Sequence, residues 1–156
     1  QGGLGLPEEA RALADKVGAG LAAAETRAAA VTAPKRVLFI LSMQGGKVMA
    51  GGEGSSAEGI IRLAGGVNAA AGFHGYKQMT DEAVLAAAPD VLLMMDREGN
   101  LKIANDDVLK HPALSQTPAA KAGAIIRMDG MLLLGFGPRT PEAADALYAD
   151  LYGNGG

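Results

Sequence analysis

Val37-Leu-Phe-Ile-Leu-Ser-Met43-Gln44-Gly45-Gly46 is a continuous apolar run that breaks off in a glycine pair. An uninterrupted run of this kind predicts a strand buried on both faces, as in an open parallel sheet. Sheets of that type bind ligands in the crevice beyond the carboxyl ends of their strands. The strand is placed at Arg36–Ser42, which sets Met43 at its exit. There a soft thioether meets whatever occupies the crevice, and two glycines keep the neighbouring wall low. The same residues, Met43, Gln44, Gly45 and Gly46, also read as an anion cradle or as a plain tight turn.

Working outward, Pro7 with Glu8 and Glu9 makes a helix start, proline in the first turn and acids against the dipole. Apolar residues at Ala10, Leu13, Val17 and Leu21 keep helical spacing, so one long helix is predicted over 7–31, stopped by Pro34. Beyond the glycine pair a short strand is expected at 48–50. Ser55 and Ser56 cap a helix running to Leu63, and Gly65-Gly66 ends it. Residues 73–77 read as a loop, and Thr80 opens a helix to about residue 88. A second buried strand follows at Val91–Met95, with a loop over 96–100. Short helices are predicted at Asn105–Lys110 and 114–122. A third strand covers 124–128, and 131–134 extends the sheet. A turn over 135–139 leads to a last helix from Thr140 to Tyr152. The alternation of strands and helices predicts an α/β fold, a doubly wound, mostly parallel sheet with helices on both faces.

The 156 residues are about one domain and bury a real core. A hydrophobic share of 49%, a charged share of 20% and a net charge of -3 describe an ordinary globular chain without the basic stripe of a nucleic-acid binder. With no cysteine, disulfides, thiolate metal sites and cysteine nucleophiles are excluded. No apolar stretch approaches the roughly 18 residues of a membrane span, and no signal peptide is recognisable. The chain starts at Gln1, so a mature or trimmed product is the simplest expectation.

No catalytic constellation stands out. Ser42, Ser55 and Ser56 lack a Ser-His-Asp partner set, and there is no Gly-x-Ser-x-Gly elbow. Neither a Gly-x-Gly-x-x-Gly motif nor a Gly-Lys-Ser/Thr ending follows the first strand. His111, before Pro112, reads as an exposed helix-end residue. His74 stands in a glycine-flanked loop beside Phe73 and Tyr76, a grouping that suits a flat apolar ligand or a packed loop. Arg97 follows a buried strand at its ligand-facing end. It reads as a bidentate carboxylate clamp, or as a solvated charge between Asp96 and Glu98.

Several stretches together carry a resemblance. They are Val37 to Gly46, Ile61-Arg-Leu-Ala-Gly-Gly-Val-Asn68, Gly75-Tyr-Lys-Gln-Met-Thr-Asp-Glu82, Ala88-Pro-Asp-Val-Leu-Leu92 and Met128-Asp-Gly-Met-Leu-Leu-Leu-Gly-Phe-Gly-Pro-Arg-Thr-Pro-Glu142. Over about residues 36–152 the chain resembles the C-terminal lobe of periplasmic haem-binding proteins of bacterial ABC importers, within the helical-backbone (class III) substrate-binding superfamily. The resemblance implies two α/β lobes joined by a long helix. Residues 1–34 would be the end of that helix, residues 35–156 the C-terminal lobe, and the N-terminal lobe, which normally supplies the haem-ligating tyrosine, is missing from this sequence.

The resemblance also implies a non-catalytic role in the periplasm, haem capture and delivery to an ABC permease for iron acquisition, with haem as the transported ligand. On this reading Met43 reaches the iron or presses on the porphyrin, thioether sulfur being an accepted haem ligand. His74 is the alternative ligand, Tyr76 stacks on the macrocycle, and Arg97 pairs a propionate or the ligating tyrosine. Glu82 matches the acid that docks on permease arginines, although helix capping explains it equally well. Tyr148 and Tyr152 are expected to pack in the last helix. A lone lobe would expose an apolar cleft wall and invite self-association. Nucleic acid and membrane insertion are not expected. The alternatives are a cobalamin or ferric-siderophore binder of the same superfamily, and a small α/β enzyme holding phosphate at Met43–Gly46.

Overall fold

The computed structural model describes residues 7–97 and 99–153. A long helix α1 (Glu8–Ala29) leads into β1 (Arg36–Ser42), then β2 (Val48–Gly51), α2 (Ser56–Leu63), β3 (Val67–Asn68), β4 (Tyr76–Met79) and α3 (Asp81–Ala87). The second half runs β5 (Val91–Met95), α4 (Asn105–Lys110), α5 (Pro118–Ala122), β6 (Ile125–Met128), α6 (Gly130–Leu133) and α7 (Thr140–Tyr152). The strands form one sheet in the order β4-β2-β1-β5-β6, with β3 lying against the start of β1. β1, β3, β5 and β6 are parallel, while β2 pairs antiparallel with both β1 and β4.

The sheet is central because its middle strands are apolar on both faces. Leu38, Ile40, Leu92 and Met94 face one cluster, with Val84 of α3, Val108 of α4 and Ala119 of α5. Val37, Phe39, Leu93 and Met95 face the other, with Ile60 and Ile61 of α2 and Leu147 of α7. Val37 to Ile40 are fully buried, and burial stabilises by about 1.5–3 kcal/mol for each large apolar side chain. The doubly wound arrangement expected from the sequence is therefore present.

Caps fix the helix starts. Ser55 Oγ accepts from the Glu58 amide at 3.2 Å, Thr80 Oγ1 from Ala83 at 3.1 Å, and Thr117 Oγ1 from Ala120 at 3.2 Å. Gly65 follows α2 at φ +82, and a Cβ there would come within 2.7 Å of Val31 Cγ2, so glycine is required twice over. Tyr152 closes this corner by donating to the Gly65 carbonyl at 2.7 Å and accepting from the Lys35 amide at 3.0 Å. Tyr148 and Tyr152 do pack, their rings tilted and 5.2 Å apart.

Three expectations are corrected. Residues 131–134 do not extend the sheet, because Asp129 Oδ1 accepts the Met131 amide at 2.8 Å and starts the helical turn α6. Tyr76 and Lys77 are not loop; they open the edge strand β4, whose mostly exposed side chains gave no alternating pattern. His111 is not exposed but 5% accessible. Its partners lie far away in sequence, as described below.

Candidate functional site

The carboxyl ends of β1, β5 and β6 form one rim of the sheet. At β1 the chain exits through Met43 into a single 3-10 turn, Gln44–Gly46, in which Gly45 and Gly46 both take positive φ, 63° and 78°. Only residues without a Cβ adopt this at no cost, so the turn stays tight. Met43 is half-buried against the α3–α5 side of the core.

In the β1–β5 register Ile40 stands opposite Met94. Beyond that pair Met43 follows β1 by one residue and Arg97 follows β5 by two, so both stand at this rim. Arg97 is half-buried and rests Nη2 against Met95 Sδ at 3.8 Å. Met95 belongs to the opposite core cluster. Met43 and Arg97 thus flank the rim from opposite faces of the sheet. Just after β6, α6 opens at Gly130, where a Cβ would meet Met95 Sδ at 2.9 Å.

Beside the Met43 turn lies an open groove of about 430 Å³, closed on its far side by Ile103, Lys110 and His111. That is within the usual range for small-molecule sites. Two polar side chains brace its walls. His111 Nε2 lies 2.8 Å from the Gly46 carbonyl, while His111 Nδ1 accepts the amides of Ala113 at 3.0 Å and Leu114 at 3.1 Å. Arg127 of β6 donates to the Ile103 carbonyl at 2.6 Å. Lys102 and Lys110 border the groove, whereas Asp107 is engaged with the Ala104 amide at 2.9 Å.

The other named residues lie elsewhere. On the β2–β4 ladder Met79 pairs with Val48 at the rim, Tyr76 with Gly51, and His74 bridges Glu53. Tyr76 is therefore three positions from the rim, about 10 Å along the strand, and His74 lies beyond it, outside the ladder. The structure does not bring them to Met43. Tyr76 instead meets Phe39 edge-on, ring centroids 6.2 Å apart, and partial burial raises its phenol pKa above the ordinary value. His74 is exposed. Glu82 is exposed in the first turn of α3, which starts directly after β4 reaches the rim. Sequence reasoning missed His111 and Arg127, since no local signal foretells a contact 65 residues away.

Among the described residues no group of three or more metal-ligating side chains of the His, Cys, Asp or Glu type is found, and no helix is long and apolar enough to cross a membrane. Large apolar side chains do stand in water after β6. Met131, Leu134 and Phe136 are 83%, 46% and 58% exposed.

The chain matches the family model described as periplasmic binding protein over residues 2–132. It is similar to the periplasmic haem-binding protein RhuT from Roseiflexus sp. RS-1 at 38% identity and a TM-score of 0.85, over 96% of this chain and 57% of that one. It is also similar to the periplasmic haem-binding protein BhuT solved with two haems, at 37% identity and TM-score 0.82, over 90% of this chain and 54% of BhuT. The haem-binding protein HutB of Vibrio cholerae aligns at 29% identity and TM-score 0.81, over 93% of this chain and 57% of HutB. The chain thus spans between 54% and 57% of the length of these relatives. A structure described as an ABC-type Fe3+-hydroxamate transport system from Saccharomonospora viridis shares the fold at 21% identity. No curated protein matches.

Proposed function

This chain belongs to the periplasmic binding protein family, and from that premise we propose that it is one lobe of a haem-capturing component of an ABC importer, binding without catalysis in the periplasm. The observation that carries the reading is the Met43 turn. A thioether stands at the carboxyl rim of a parallel sheet, the rim at which Arg97 also leaves β5, in a chain 37–38% identical to two haem binders.

The chemistry suits a flat, anionic metallated ligand. Met43 offers sulfur to iron or an apolar edge to porphyrin. Gly45 and Gly46 let the macrocycle approach the backbone. Arg97, with Lys102 and Lys110 along the groove, would attract propionates. Glu82 at the rim-side start of α3 would meet a basic permease surface. The exposed Met131, Leu134 and Phe136 provide apolar surface on which a second lobe, or a second copy, would settle. A ferric-siderophore reading has only fold-level support here, from a structure 21% identical.

Haemin titration followed at the Soret band tests the proposal. A saturable shift is expected, weakened and spectrally altered in Met43→Ala. No shift at about 0.1 mM protein, a level that detects even millimolar-range affinities in part, rejects haem. Binding of a ferric hydroxamate instead would move the assignment to that ligand class.

A further inference from the structure

We propose that His111 is the positioning residue of the Met43 turn. Through its Nε2–H bond to the Gly46 carbonyl it fixes Gln44–Gly46, and so holds the Met43 thioether where a ligand meets it. The proposal rests on the reading of Met43 as a ligand contact, and goes beyond it by naming what places that contact.

The hydrogen-bond geometry decides the state of the ring. Nδ1 receives two backbone amides, from Ala113 and Leu114, so its lone pair is committed as an acceptor. The proton of the neutral imidazole must then sit on Nε2, where it can donate to Gly46 at 2.8 Å. One side of the ring is thereby anchored in the chain just after α4, and the other reaches the turn after β1, 65 residues away. His111 is 5% exposed, so its bonds to Ala113 and Leu114 are buried and its bond to Gly46 is partly so. The turn it holds has little support of its own. Gln44, Gly45 and Gly46 are all exposed, and a Cβ on either glycine would touch nothing within 4 Å. A turn with two positive-φ glycines and no packing is held by its hydrogen bonds. Among the described residues, the His111 bond is the one that ties it to another element.

Side-chain replacement separates the two halves of the ring. Glutamine places its amide nitrogen near the position of Nε2 and keeps a donor for Gly46. Asparagine places its oxygen near Nδ1, keeping the acceptor for Ala113 and Leu114 while leaving Gly46 without a donor. Methyl-labelled methionine NMR on the unliganded protein reads the outcome, with Met43 assigned through Met43→Leu. In His111→Asn the Met43 resonance should move toward the free-methionine position while those of Met94 and Met95 stay. In His111→Gln it should remain near the wild-type position. Haemin affinity should fall about tenfold in His111→Asn and less than about twofold in His111→Gln, the upper scale of one neutral hydrogen bond.

An unmoved Met43 resonance in folded His111→Asn overturns the proposal. So does equal behaviour of the two variants, or a shift spread over all seven methionines, since either makes His111 a packing residue only. If wild-type protein fails to shift the Soret band yet Met43 responds selectively, the positioning role stands and the haem reading falls.

Discussion

Asn68 Nδ2 lies 3.1 Å from Glu58 Oε2, joining the short strand β3 to the first turn of α2. The same amide donates to the Gly51 carbonyl at 3.0 Å, and Asn68 Oδ1 accepts the Ala70 amide at 3.0 Å. Every polar atom of this buried side chain is satisfied, which gives the asparagine of the Leu-Ala-Gly-Gly-Val-Asn68 stretch a structural reason. Asn68→Ala strands buried partners and should cost about 2–3 kcal/mol, read as a lowered denaturation midpoint at unchanged slope. Asn68→Asp sets a carboxylate against Glu58 and a carbonyl, so its folded pKa rises above the unfolded one. Its penalty should be largest at neutral pH, shrink as pH falls through the raised folded value, and be gone below about pH 4.

Gly65 and Gly72 both take positive φ, +82° and +90°, but only Gly65 has a neighbour in the way, Val31 Cγ2 at 2.7 Å. Gly72→Ala should cost about 1–2 kcal/mol, the left-handed penalty alone. Gly65→Ala adds a clash at the corner shared with Tyr152 and should cost more, roughly 3 kcal/mol or above. Equal thermal shifts for the two variants would contradict the packed-corner account.

If Arg97 meets a carboxylate, its loss should depend on the ligand's charge. Arg97→Ala is expected to weaken haemin binding about ten- to hundredfold, the range of a charge-assisted bond. Binding of the haemin dimethyl ester should hardly change. Equal losses for both ligands would mean that Arg97 supports the rim through Met95 rather than touching propionate.

Burial holds the Tyr76 phenol above the ordinary tyrosine value. A raised folded pKa means that the proton is held more tightly in the native state. The associated stability is complete below about pH 10 and is lost as pH rises through the folded value. The difference between wild-type and Tyr76→Phe alkaline titrations at the phenolate absorption band should therefore have its midpoint above that of free tyrosine. A midpoint at the free value would place the ring in open water.

Glu82 is exposed at the start of α3 and outside the Met43 groove. Glu82→Gln should leave haemin affinity unchanged and weaken engagement of a permease in a reconstituted transport assay. Loss of haemin affinity in this variant would remove the docking role.

Legibility in the sequence followed the range of the forces. β1 and β5 were readable to the residue, since continuous apolar runs report burial on both faces without knowledge of neighbours. Helices with Ser55 or Thr80 at their starts were readable because a cap acts over three residues. β3, two residues long, and the polar edge strand β4 left no periodic trace. Residues 131–134 misled because an apolar run reports burial, not conformation; the Asp129 cap decided that. The candidate site divided in the same way. Met43 to Gly46 and Arg97 follow from strand exits, which set them at one rim. Tyr76 is carried away from Met43 by the antiparallel β2–β4 ladder, and His74 lies beyond the start of β4 on an isolated bridge to Glu53. His111 was misjudged because its bond to Gly46 belongs to tertiary structure alone.

β1 lies inside the sheet with paired strands on both sides, and four of its residues are wholly enclosed. Amide exchange there should require near-global opening, whereas β4 and β6 fray at the two borders. The Met43 turn is thus tethered to the slowest-opening segment of the molecule. Breathing of the periphery can proceed without loosening the grip at that exit, and a bound ligand would add protection chiefly to the exposed turn instead of to the strand behind it.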